Sequence, residues 1–229
     1  MTVILANLPY LLEGAWATVR LSLIAAPLAI VLGAVAGTLR LYAPRPISAL
    51  STAYIELFRG TPALVQMFFA FFGLPIITGG QVSAFEAAIL ALVLNSGAYF
   101  AEIVRGGLQA VSRDQWHAGL ALGLTFGQVL RLVVGPQALR RIVAPAVGQF
   151  TILVKDTSIA SVIAVFELTR AGQHVVERTL ASFEIFTVVG VLYFVVCYGG
   201  SSLSRRLEGK LNPLARKGGY AWRYVIGER

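Results

Sequence analysis

Apolar residues run in long blocks along this chain, and polar residues fall mostly between the blocks. Five blocks lie at about residues 15–38, 57–77, 84–104, 147–166 and 183–203. As helices rising about 1.5 Å per residue, each is long enough to cross roughly 30 Å of hydrocarbon. The second block opens in charged, proline-bearing sequence, and the fourth carries Lys155 and Asp156. The pattern predicts an all-α membrane protein of one domain over 1–229, with five transmembrane helices. One longer polar stretch, 105–145, separates the third helix from the fourth.

Basic residues decide how such a chain sits. Arg40, Arg45 and Arg59 follow the first block; Arg105, Arg113, Arg131, Arg140 and Arg141 follow the third; Arg205, Arg206, Lys210, Arg216, Lys217, Arg223 and Arg229 follow the fifth. The opposite face has only Arg170 and Arg178, and Arg20 and Lys155 fall inside blocks. Cationic loops stay on the cytoplasmic side, so the N-terminus is expected outside and the C-terminus in the cytoplasm. The stretch 105–145 is then cytoplasmic. The formal charge of +8 accompanies 57% hydrophobic content, and a cytoplasmic-face bias explains it better than nucleic-acid binding does. Cys197 is the only cysteine, which excludes an intrachain disulfide and a multi-cysteine metal cage. Residues 1–14 lack the basic start and small-residue cleavage site of a removable signal peptide, so the first span is expected to remain. Arg205, Arg206 and the tail residues Tyr220, Trp222 and Tyr224 are expected to anchor at the cytoplasmic interface.

The cytoplasmic stretch is long for a compact membrane protein and not of low complexity, which predicts a structured, working segment. Within it, Gln115, Trp116, His117, Ala118, Gly119, Leu120 and Gly123 form a short polar and small-residue element, with Pro136 at a fixed interval beyond. Read as a helix, it places Trp116, Leu120 and Leu124 on one face. Alanine and glycine keep the exposed side low, and Gly123 releases the chain into a turn. Such a helix suits a groove in another protein. The chain has no phosphate-binding loop: its one Gly-Lys pair, Gly209-Lys210, is followed by Leu211 and has Ser204 where the loop needs glycine.

Polar residues inside the blocks are few, and burial in hydrocarbon makes each one costly. Asn95, Tyr99 and Glu102 share one helix face. Lys155 and Ser158 share another, with Asp156 about 100° away, so Lys155 and Asp156 are poor partners for each other. A zwitterionic amino acid complements this set: a carboxylate for Lys155, an ammonium for Asp156 or Glu102, and neutral hydrogen bonds from Asn95, Tyr99, Ser158, Ser161 and Gln66. Interhelical ion pairs and hydrogen bonds are the competing explanation. At Arg59-Gly60-Thr61-Pro62 the expectation is a helix start, with proline in the first turn, Thr61 capping, and Arg59 pairing with Glu56 or lipid phosphate.

The run His117-Ala118-Gly119, then Gly123, then Val133, Gly135 and Pro136, resembles in register the cytoplasmic signature of the permease subunits of ATP-binding-cassette importers. The likeness is to the polar-amino-acid branch, the histidine-, glutamine-, glutamate- and arginine-type permeases. Tyr54 to Pro62, Ala98 to Gly107, Pro136 to Arg140, and Lys155-Asp156-Thr157-Ser158 match further blocks of that family in order. Three positions depart from it: His117 replaces the signature glutamate, Gly119 the second alanine, and Gly148 a common asparagine. The resemblance implies the type I importer permease fold, with residues 115–123 as the coupling helix. It implies a second permease subunit as homodimer or heterodimer, two cytoplasmic ATPases that bind the ATP and magnesium, and an extracytoplasmic amino-acid-binding protein. This chain would then carry no cofactor and no covalent chemistry. An autonomous channel or ion-coupled carrier would use Lys155, Asp156 and Glu102 for ions and transport alone. A membrane-embedded enzyme lacks any metal cluster or nucleophile–base pair in this sequence.

Overall fold

The computed structural model describes residues 2–211, all of whose regular secondary structure is helical. Helix α1, Thr2–Tyr42, is apolar on all sides and contains Pro9 and Pro27. Its 41 residues give a rod of about 60 Å, longer than the predicted first span at both ends. Gly37 brings α1 against the next long helix: a methyl group there would run into the Ala101 carbonyl oxygen.

The predicted second span, 57–77, is not one helix. Helix α2, Arg45–Gly60, and helix α3, Ala63–Thr78, meet at an angle of 107°. Thr61 is extended (φ −120°, ψ 148°), as the residue before proline prefers, and Pro62 is the N-cap of α3 with no side-chain cap. The expected capping by Thr61 is therefore corrected: its hydroxyl bonds back to the Leu57 carbonyl at 2.8 Å. Helix α2 is strongly amphipathic and is tied to its neighbours, with Ser51 Oγ donating to the Ala36 carbonyl at 2.7 Å and the Tyr54 hydroxyl to the Leu94 carbonyl at 2.8 Å.

Helix α4, Ala84–Gln109, begins with a capping box between Ser83 and Glu86 and fits the third predicted span. The stretch 105–145 is mostly helix. Helix α5, Arg113–Ala121, ends in a Schellman turn: Leu124 N–H bonds the Gly119 carbonyl at 3.2 Å, Gly123 N–H bonds Leu120 at 2.9 Å, and Gly123 takes φ 79°. Helix α6 then runs as one element over Phe126–Ile163, so the predicted fourth span is only its C-terminal part. Wide π turns at Phe69–Gly73 and Leu130–Val134 sit just ahead of Pro75 and Pro136; widening relieves the clash of the pyrrolidine ring with the preceding turn. The last residues of α6, Thr157–Ile163, tighten into 3-10 geometry.

Helix α7, Leu168–Thr179, is a short amphipathic element the hydrophobic pattern did not predict, and α8, Ser182–Leu211, closes the described chain. Four helices are long and apolar enough to cross a membrane, and the bent α2–α3 pair makes a fifth if counted as one span. The main core joins α1, α3, α4 and the end of α6 around Leu21, Met67, Leu92, Phe100 and Leu153. Tyr220, Trp222 and Tyr224 lie outside the described residues, and the Arg205 and Arg206 side chains are likewise not described.

Candidate functional site

The residues picked out above fall into three groups: one packed on the N-terminal end of α6, one at the α2–α3 elbow and one at the far end of α6. At the N-terminal end of α6, α5 is bolted down by Trp116, which stacks on Phe126 at 5.0 Å between ring centroids and tilts against Tyr42 at 5.4 Å. The predicted face of Trp116, Leu120 and Leu124 therefore divides. Trp116 and Leu124 pack inward on the core around Val111, Val129 and Val134, while Leu120 is 47% exposed. Gly119 also points inward, against the expectation that it lies on the exposed side; a methyl group on it would sit 2.8 Å from a Val129 methyl. The outer surface is left to Gln115, His117, Ala118, Leu120 and Leu122, the last 81% exposed. Gln115 Oε1 accepts a hydrogen bond from Gln137 Nε2 at 3.1 Å, tying α5 to α6.

Among the residues proposed for the solute, Gln66, Asn95, Tyr99 and Glu102 gather at the α2–α3 elbow and are engaged there. Gln66 Nε2 donates to the Phe58 and Thr61 carbonyls and to Thr61 Oγ1, at 2.9, 3.0 and 2.8 Å. Asn95 Nδ2 donates to the same Phe58 carbonyl at 3.1 Å and to Gln66 Oε1 at 3.0 Å. The Arg59 guanidinium lies 5.4 Å over the Tyr99 ring. Glu102 binds Arg40 at 2.6 Å and Arg105 at 2.7 Å, with Arg59 at 3.8 Å, and Arg40 also reaches Glu56 at 2.9 Å. So Arg59 faces Glu102 where Glu56 or a lipid phosphate was expected. Glu102 meets arginines, and neither Lys155 nor Asp156.

Lys155, Asp156, Ser158 and Ser161 form the third group, at the far end of α6. Lys155 lines a groove of about 480 Å³ with Thr151, Gly190, Tyr193, Phe194, Cys197 and Tyr198. Lys155 is exposed, and its carbonyl accepts from the Thr157 N–H. Asp156 is half-buried on an adjacent face, Ser161 is buried, and Ser161 Oγ bonds the Ser158 carbonyl at 2.7 Å. No group of three or more possible metal ligands occurs among the described residues.

Residues 29–213 match the family of binding-protein-dependent transport system inner membrane components. The chain belongs to this family. It is 38% identical over 208 residues to the glutamine transport system permease protein GlnP of Escherichia coli K12, covering 90% of this chain and 95% of that one. It is 40% identical over 206 residues to the probable glutamine ABC transporter permease protein GlnP of Bacillus subtilis, covering 88% and 94%. A crystal structure of an amino acid ABC transporter with histidines superposes with a TM-score of 0.84 at 32% identity, over 90% of this chain and 96% of that one. This binding-protein-dependent permease is thus the membrane subunit of an amino-acid ABC importer, with ATP hydrolysis left to separate subunits.

The departures from the family pattern acquire physical meaning in the permease fold. His117 is on the outer face of α5. Gly119 is where Val129 packs closest, so the missing methyl matches a large neighbour. Gly148 faces open space with nothing within 4 Å of a built Cβ, and an asparagine there would meet no obstacle.

Sequence reasoning missed Glu167. It is fully buried, N-caps α7 by accepting from Arg170 N–H at 2.7 Å, and takes the Tyr193 hydroxyl at 2.6 Å and Thr18 Oγ1 at 3.4 Å. Burial pushes its carboxyl up, against the pull of these bonds. The only hint in the sequence was a lone acid beside the apolar Val165-Phe166.

Proposed function

We propose that two such permeases, identical or closely similar, form one path across the inner membrane, each resting on a cytoplasmic ATPase. An extracytoplasmic binding protein delivers a polar amino acid, with glutamine the foremost candidate given the relatives named for it. The N-terminus lies outside and the C-terminus in the cytoplasm, as the placement of arginines supports. ATP and magnesium bind the ATPases, and this chain supplies the path and the lever.

The observation that carries this reading is the surface of α5. Leu120 and Leu122 stand exposed on a loop rich in arginine, outside any membrane-length run, and exposed apolar side chains beside small residues mark a protein contact. Gln115, His117 and Ala118 complete that surface, while Trp116, Gly119 and Gly123 fix its shape. For the solute, Lys155 and Asp156 are the ionic pair, with Ser158 beside them. Gln66, Asn95, Tyr99 and Glu102 support the elbow that borders the path, and Ser161 supports the end of α6.

The test is co-purification of the ATPase with variants of this surface. Leu120→Asp with Leu122→Asp should release the ATPase and abolish uptake while leaving the permease folded. Retained ATPase and normal uptake would remove α5 from the contact. Lys155→Ala should weaken uptake by about tenfold or more, the scale of one charge-assisted hydrogen bond, without releasing the ATPase.

A further inference from the structure

Beside the α2–α3 elbow lies a groove of about 360 Å³. Leu57 of α2, Val65 and Phe69 of α3, and Leu90, Ala91 and Leu94 of α4 line it, and Leu57, Val65 and Phe69 are each more than half exposed. The two polar residues in its lining, Thr61 and Gln66, are already engaged. Gln66 Nε2 donates to the Phe58 and Thr61 carbonyls and its Oε1 accepts from Asn95, while Thr61 Oγ1 donates to the Leu57 carbonyl. A zwitterion would find no free hydrogen-bonding group here, whereas a hydrocarbon chain needs none. The groove also stands apart from the residues proposed for the solute. Ala91 is sixteen residues before Gly107, about 160° around α4 from the side that meets Ala138 and Ile142 of α6. Helix α4 therefore separates the apolar groove from α6, and Lys155 lines its own groove between α6 and α8.

The mouth of the apolar groove is cationic. Arg59 sits in the chain between two lining residues, Phe58 and Thr61, and its guanidinium lies 5.4 Å over the Tyr99 ring. Glu102 is held by Arg40 at 2.6 Å and by Arg105 at 2.7 Å, against 3.8 Å for Arg59. Arg40, Arg59 and Arg105 thus face Glu56 and Glu102, which leaves one positive charge, and Arg59 is the arginine held most loosely. Along α4 the order is charge at Glu102, an aromatic ring at Tyr99, then apolar side chains from Leu94 to Leu90. From Tyr99 to Leu90 is about 14 Å, close to half of the roughly 30 Å hydrocarbon core, which is the depth one leaflet's chain reaches. The outer side of α2 continues the apolar surface with Ile47 and Leu50 exposed, as in a helix lying at a bilayer surface.

We propose that the elbow binds one anionic phospholipid per permease, its phosphate on Arg59 and one acyl chain in the groove between α3 and α4. A headgroup of single net negative charge, as in phosphatidylglycerol, neutralises the cluster; the ammonium of a zwitterionic headgroup leaves the positive charge standing. The lipid phosphate expected for Arg59 in this way gains a chain site beneath it. With its chain against Leu57 on one arm and Val65 and Phe69 on the other, the lipid braces the bend between α2 and α3. The leaflet is the cytoplasmic one on the orientation proposed above, and binding itself depends neither on that orientation nor on transport.

The test uses the purified permease–ATPase complex, delipidated in detergent and titrated with dioleoyl phosphatidylglycerol or dioleoyl phosphatidylethanolamine. Native mass spectrometry counts bound lipid, and the melting temperature is followed in parallel. The wild type is expected to prefer phosphatidylglycerol and to melt higher with it. Arg59→Gln should lower phosphatidylglycerol affinity about fivefold, the scale of one arginine at an anionic surface, with phosphatidylethanolamine binding little changed; Arg59→Lys should keep most of the preference. Val65→Trp, which fills the groove from an exposed position, should weaken both lipids and abolish the thermal shift. Equal retention of the two lipids by the wild type would overturn the proposal, as would unchanged phosphatidylglycerol affinity in Val65→Trp, which decides alone should Arg59→Gln not fold. A disulfide between two copies through Val65→Cys in a Cys197→Ala background would show that a second permease covers the groove, and would overturn it equally.

Discussion

Asn95 and Gln66 show how a polar residue in a membrane helix is put to structural use. Their amides close on the Phe58 and Thr61 carbonyls, which the chain leaves free because Pro62 and the extended Thr61 interrupt the helical ladder. Asn95→Leu should therefore lower stability by about 1–3 kcal/mol, because Gln66 Oε1 loses its donor and the Phe58 carbonyl keeps only the one from Gln66. Thermal unfolding in detergent checks this. An unchanged melting temperature with lost uptake would move Asn95 into the solute site. Gly119→Ala should be harmful in this chain, although alanine is the family's residue there, because Val129 already fills the space. Overpacking of this kind costs about 1–3 kcal/mol. Adding Val129→Ala should restore the melting temperature, and no rescue would refute the packing explanation. The shared face of Asn95, Tyr99 and Glu102 was legible from spacing alone. Their partners were not, since Arg40, Arg59 and Gln66 come from other helices whose approach is set by tertiary packing.

At the scale of elements, α6 links the proposed ATPase contact to the proposed solute residues. One helix, Phe126–Ile163, carries the support of α5 at its start and Lys155 and Asp156 near its finish. Hydropathy located only its second half, because its first turns carry Arg131, Arg140 and Arg141 and are amphipathic. The elbow of α2 and α3 was hidden for a related reason: an apolar window cannot register a change of direction, and Pro62 was taken as a helix start alone. Helix α7 escaped because its twelve residues are too short and too charged for a membrane-length pattern. Glu167→Ala removes its cap and leaves the Tyr193 hydroxyl without its carboxylate. The expected loss is about 1–3 kcal/mol, greater than for Glu167→Gln, which retains an acceptor. Equal melting temperatures for the two variants would contradict this role.

For the whole molecule, the account requires a fixed orientation and a dependence on partners. Cys197 is the only cysteine, so in a Cys197→Ala background a single new cysteine reports sidedness. A membrane-impermeant maleimide added outside intact cells should label position 180, where Leu180 is 86% exposed, and should spare position 122 until the membrane is opened. The reverse pattern would invert the topology. The family-level fold was readable from the cytoplasmic signature and four further blocks in order, because several of them sit at places the chain needs for packing and turning: Pro62, Gly107, Gly123 and Pro136. The most direct test of the central claim, that this permease couples a cassette ATPase to amino-acid uptake through α5, is ATP hydrolysis by the purified permease–ATPase complex in liposomes. The account predicts hydrolysis stimulated by the amino-acid-loaded binding protein and lost in the Leu120→Asp, Leu122→Asp variant. A permease that moves ions or amino acids alone in liposomes, with no ATPase present, would contradict it.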